Sequence, residues 1–263
     1  MNRRNCISRH GNCNRPASNF RKTRHSRQSH IVGYNTISVP ANHLYGYGVQ
    51  FTEVSGLREI PVKDVLTVDV PKGASKFGDT ADQIWLYNTT TMDWVKSYYK
   101  SGRSGAVGWV NAAVDGNTET TDTMKNGDGF FFRRSGAAVG NITISGALKA
   151  TDADPISLTA NRLHFVCNPW PVSFKINSIG IDVPKGASKF GDTADQVWLY
   201  DTTTMDWVKY YYKSGRSGAV GWVNAAIDGA TPTEDSIGVG QGFFLRRSGA
   251  AAGNLIWVKP AGL

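Results

Sequence analysis

A chain of 263 residues with 40% apolar residues can build folded cores, and no stretch nears the roughly 18 consecutive apolar residues of a membrane-crossing helix. The net charge of +8 is carried by residues 1–30, which hold eight basic and no acidic residues, so residues 31–263 balance at 21 basic against 21 acidic. A generally basic, nucleic-acid-binding body is therefore not supported, and three cysteines give no disulfide framework.

Residues 1–30 read as a basic arm, disordered unless bound, because Ile7, Ala17 and Phe20 are too little apolar material to order it. Arg3, Arg4, Arg9, Arg15, Arg21, Lys22, Arg24 and Arg27 are its polyanion-binding candidates, and nucleic acid is expected as a partner only through them. A mis-assigned start, a transit segment and an arm ordered by subunit contacts compete with that reading; no apolar signal core is present. Cys6, Cys13, His25 and His30 are spaced C-x6-C-x11-H-x4-H, too wide between the cysteines for a zinc finger, so no metal is expected.

From residue 31 onward, short β-branched and aromatic runs broken by Gly, Asn, Asp and Pro replace any helical stripe. They predict strands near 31–38, 47–53, 62–70, 82–88, 93–100, 106–112, 128–134 and 140–146. "NTTTMD" at 88–93 reads as a hairpin turn. Within 93–100 the strand period puts Trp94, Lys96, Tyr98 and Lys100 on one face. Lysine resists burial, so this face is expected to be wet, offering rings and ammonium groups to a glycan or another subunit. The competing account packs the aromatics under a loop with the lysines reaching out to water. Phe130, Phe132 and Arg134 alternate with Phe131 and Arg133; the first set reads as core.

The chain then repeats itself. Residues 70–116 return at 183–229 with four differences: Ile84/Val197, Asn88/Asp201, Ser97/Tyr210 and Val114/Ile227. The shift of 113 residues is the size of a small domain, and it carries the wet face over as Trp207, Lys209, Tyr211 and Lys213. The prediction is all-β: two tandem antiparallel sandwich or barrel-like modules, 31–139 and 140–263, behind the arm. A shorter motif occurs three times, as "VGYNTISVPA" from 32, "VGNITISGAL" from 139 and "AGNLIWVKPA" from 252. Three edge strands for two modules suggest that a terminal strand pairs between chains, giving a homo-oligomer or polymer.

Chemistry is scarce. "SYYK" at 97–100 formally offers a serine nucleophile, but its copy reads "YYYK". Asp79 with Asp82, and Asp192 with Asp195, are paired carboxylates in a polar stretch where turn capping is the simpler account. Asp115, Asn117 and Glu119 have a calcium-like spacing that the copy lacks. Cys167 reads as a small buried apolar residue. No catalytic motif, cofactor or metal is predicted.

The string DQ[IV]WLY…W…YYYK…GWV…GFF.RR followed by G-N-[IL]-x-[IV], over 75–140 and 188–258, resembles modules of β-rich secreted bacterial proteins with no assigned reaction. The resemblance implies an extracellular or cell-surface protein. The expectation is a non-enzymatic structural or adhesive protein, self-assembling into filaments by strand exchange. A pair of carbohydrate-binding modules and a coat-like protein with a nucleic-acid-binding arm are the alternatives.

Overall fold

The computed structural model describes residues 32–52, 59–69, 71–74, 78–102, 108–113, 118–136, 139–149, 151–182, 184–187, 191–215, 220–227, 231–249 and 251–263. The basic arm lies outside the described residues, as do Asp115 and Asn117. In chain order the first half contains β1 (Val32–Val39), β2 (Leu44–Gly48), β3 (Ile60–Pro61), one helical turn α1 (Val62–Val65) and β4 (Leu66–Val68). It continues with β5 (Gln83–Asn88), β6 (Asp93–Lys100), β7 (Gly108–Asn111), β8 (Thr123–Met124), β9 (Gly129–Arg133) and β10 (Gly140–Ala147). The second half holds β11 (Ile156–Leu158), β12 (Leu163–Cys167), β13 (Phe174–Lys175), β14 (Gly180–Ile181) and β15 (Gln196–Asp201). β16 (Asp206–Lys213), β17 (Gly221–Asn224), β18 (Ser236–Ile237), β19 (Gly242–Arg246) and β20 (Gly253–Ile256) complete it.

The chain is all-β, and the two halves repeat one topology. The first has sheets β1-β10-β4, β2-β9-β5-β6-β7 and β3-β8; the second has β11-β20-β14, β12-β19-β15-β16-β17 and β13-β18. Register repeats too: Trp85 faces Lys96 as Trp198 faces Lys209. All the named pairings are antiparallel, and among the described residues no sheet closes into a barrel. Each half is a sandwich. Val39, Ile142, Ile144 and Leu66 from the three-stranded sheet meet Tyr47, Ile84, Trp109, Phe130 and Phe132 from the five-stranded one. Leu158 and Leu255 meet Val197, Trp222, Phe243 and Leu245 in the second half. No helix among the described residues is long and apolar enough to cross a membrane.

Two expected strands are displaced. The segment 47–53 is not one strand. Residues 44–48 belong to the five-stranded sheet, while Thr52 bridges Ala147 in the other sheet, so Val49–Phe51 turn the corner between layers. The run 62–70 opens with α1: Pro61, extended at φ −54° and ψ 139°, ends β3 and caps the helical turn Val62–Val65.

The threefold edge motif also resolves differently. β1 pairs with β10 over eight register positions, and β10 pairs with β4 on its other side. The middle copy thus closes the first sandwich instead of opening the second, moving the expected boundary at 139/140 past residue 147. β20, the last copy, lies between β11 and β14. The strand surplus disappears because β11, which is not a copy of the motif, takes the place that β1 holds in the first half.

The halves meet through the outer faces of their five-stranded sheets. Backbone bonds cross the joint from Gly48 N–H to the Gly240 carbonyl (3.1 Å) and from Cys167 N–H to the Gly127 carbonyl (2.9 Å). Such approach needs glycine: a Cβ on Gly48 would overlap Cys167, and one on Gly46 would lie 2.9 Å from the Phe165 ring. Above the glycines is an aromatic layer. Phe165 stacks on Phe131 at 4.6 Å and packs against Phe244 at 4.8 Å. Trp94 meets Phe131 at 5.1 Å, and Trp207 meets Phe244 at 5.3 Å. Aromatic pairs add about 0.5–1.5 kcal/mol each beyond the area they bury, so this layer is a substantial joint.

Candidate binding grooves

Each outer face is a lattice of cross-strand rows. Arg133, Gln83, Tyr98 and Val110 form one row; Phe131, Trp85 and Lys96 form the next; Tyr87 and Trp94 form the third. The second copy has Arg246, Gln196, Tyr211 and Val223, then Phe244, Trp198 and Lys209, then Tyr200 and Trp207.

The expected wet face therefore splits into three environments. Trp94 and Trp207, half-buried, belong to the aromatic joint. Lys96 and Lys209 are exposed, as expected. Tyr98 (4% exposed) and Tyr211 (6%) are buried, contrary to expectation. Tyr98 packs with Ala81 and Val110 beneath the loop that precedes β5, with Ala74 alongside; Tyr211, Ala194, Val223 and Ala187 repeat this. Lys100 is also buried, at 3%, and Lys213 is half-buried, because that loop bridges onto β6 and β16 at Ala74 and Ala187. Burying the aliphatic stems of these lysines is compatible with their charge only where the ammonium keeps a partner.

The loop itself is held by a buried clasp. Asp82 accepts from Lys72 N–H (2.7 Å), Ser135 N–H (2.8 Å) and Arg134 Nη1 (2.6 Å). Asp195 does the same with Lys185 N–H, Ser248 N–H and Arg247 Nη1. Burial pushes both carboxyls above their usual range, and the backbone and arginine donors pull them partly back. Asp79 is exposed while Asp82 is enclosed, so the two do not face one pocket.

Between loop and joint lies a groove of about 330 Å³ lined by Asp79, Gln83, Trp85, Lys96, Tyr98 and Arg133, among others. Its geometry is specific. Trp85 Nε1 donates to Gln83 Oε1 at 2.7 Å, which fixes the ring. Lys96 Nζ lies 4.2 Å from the ring centroid. Arg133 Nη1 donates to the Asp79 carbonyl at 3.0 Å. In the second half, Trp198 donates to Gln196 at 2.8 Å, Lys209 sits 4.6 Å from the Trp198 ring, and Arg246 donates to the Asp192 carbonyl at 3.0 Å. Trp85, Trp198, Gln83, Gln196, Arg133 and Arg246 were missed as site residues. The signal was present: the 88–93 hairpin and a period of two in 83–88 place Trp85 opposite Lys96.

The remaining sequence candidates have structural places. Ser97 is buried and donates to Asp122 at 3.4 Å; Tyr210 donates to Asp235 at 2.8 Å, so the substitution keeps its acceptor. Glu119 pairs with Lys63 at 3.2 Å. Cys167 is fully buried at the joint, and burial raises its thiol pKa well above the ordinary range. Among the described residues, no group of three or more His, Cys, Asp or Glu is arranged to hold a metal.

A scan against protein-family models, a search of curated proteins and a search of solved structures each return no match to this chain.

Proposed function

We propose that the protein is a non-enzymatic extracellular adhesive protein that holds glycan through the groove at Trp85 and the matching residues at Trp198. The observation supporting this is the duplication of a fixed tryptophan flanked by lysine, arginine and glutamine, in two modules joined face to face. Aromatic rings offer flat apolar area to sugar rings, and two copies on one body add avidity. The extracellular placement follows the resemblance to secreted bacterial modules. Filament growth by strand exchange is the less favoured form, since it would have to open the eight-position pairing of β1 with β10 or remove β20 from between two strands.

Beads coated with the protein and passed over a glycan array test the proposal. Retention that is lost in the Trp85→Ala/Trp198→Ala variant is expected. Retention unchanged in that variant, or shortening of the glycan chains, would contradict it.

A second reading rests on the arm, whose eight basic and no acidic residues suit a coat-like protein that packages nucleic acid. A salt-sensitive RNA or DNA shift that disappears on deleting residues 1–30 would select it.

A further inference from the structure

We propose that the Trp85 and Trp198 sites are each a subsite for a sugar ring that bears a carboxylate, that is, a uronate residue of an acidic glycan. This rests on the adhesive reading above and narrows it to one ligand class.

The groove contains three kinds of recognition group in fixed relation. Trp85 is half-buried with its indole N–H committed to Gln83, so the ring is held as a platform. The Lys96 ammonium rests on that ring at 4.2 Å. An exposed cation–π contact is weak, about 0.5–1 kcal/mol, so a carboxylate is a better partner and draws the ammonium off the ring as a sugar settles. Arg133 lines the same groove. It spends Nη1 on the Asp79 carbonyl, which orients a guanidinium fork that has further N–H donors. Two cations around one aromatic platform fit a ring carrying one negative charge.

Asp79, an exposed residue that lines the groove, narrows the class further through the charge of its side chain. A carboxylate accepts hydrogen bonds from hydroxyl groups, which a uronate ring carries. It repels ligands with several negative charges on each unit, which disfavors polysulfated glycans. The balanced charge of residues 31–263 points the same way, since that body has no net positive charge to draw a polyanion. A neutral sugar would offer neither cation a counter-charge. The same residues in the same relation at Asp192, Gln196, Trp198, Lys209 and Arg246 make a second subsite.

Isothermal titration of the full chain with trigalacturonate tests this, alongside cellotriose, a heparin tetrasaccharide and an oligouridylate of similar length. The expected result is two trigalacturonates per chain, one in Trp85→Ala or in Trp198→Ala, and none in the double variant. Lys96→Gln with Lys209→Gln should weaken trigalacturonate binding about tenfold and leave any residual cellotriose binding unchanged. Both lysines are exposed, so these variants are expected to fold, and near-ultraviolet circular dichroism verifies it. Equal binding of cellotriose overturns the acidic class while the adhesive reading stands. Preference for heparin or for oligouridylate overturns it in favor of a polyanion site. Absence of binding by any sugar overturns both readings.

Discussion

Phe131 of the first module and Phe165 of the second stack almost parallel across the joint, 10° between ring planes. Each ring leaves its own sheet on the face away from its own sandwich core. Neither could be so placed in an isolated module without exposing a large apolar ring. The stack therefore ties the modules into one body, and it turns a surface that looks adhesive in one strand into an internal joint.

Phe165→Ala should destabilise the protein by about 3–5 kcal/mol, the usual cost of truncating a buried phenylalanine. Because Phe165 also contacts Trp94 and Phe244, the loss should fall on the coupling between modules. Differential scanning calorimetry should show one cooperative transition for the parent and two resolved transitions for the variant.

Asp82→Asn should cost about 3–5 kcal/mol, since it leaves Arg134 buried without its counter-charge. Asp195→Asn should behave alike through Arg247. Replacing both partners, Asp82→Leu with Arg134→Leu, should recover part of the loss, because no lone charge is then left inside. Urea denaturation of the three variants measures the difference.

Asp128 sits at the joint, where its carboxylate accepts from Lys125 N–H at 2.9 Å. Burial pushes its pKa up to about 6. With the folded value above the unfolded one, the folded state binds the extra proton. Stability from this group is thus greatest below about pH 4 and declines as pH rises through about 6. In the second module Gln241 makes the same turn bond without a charge, to Gly238 N–H at 2.9 Å. Asp128→Asn should keep the bond and remove the titration, raising stability at pH 8 by up to about 3 kcal/mol. Melting curves at pH 5 and pH 8 should differ less in the variant than in the parent.

The sheets were legible in the sequence wherever two local signals agreed. The 83–100 hairpin combines alternation with an Asx turn, in which Asn88 Oδ1 accepts from Thr90 N–H at 2.9 Å. The alternation of Phe130 and Phe132 with Phe131 was equally readable. What period alone could not convey is which objects lie over each face. Tyr98 and Lys100 look wet in a strand, but a loop ten or more residues upstream covers them. Trp94 looks like a ligand platform, but the other module covers it in part. The edge motif misled because sequence likeness among its three copies does not fix their pairing partners. The short strand β11, with no likeness to the motif, fills a place that only the three-dimensional ladder reveals.

If the Trp85 and Trp198 sites hold one glycan surface together, losing either one must speed release. Surface plasmon resonance on immobilised polygalacturonate tests this most directly, through the dissociation rates of the parent, Trp85→Ala, Trp198→Ala and the double variant. The predicted result is that either single variant leaves at least about tenfold faster than the parent, with no retention of the double variant. Single variants that dissociate at the parent rate, or a double variant that still binds, would contradict it.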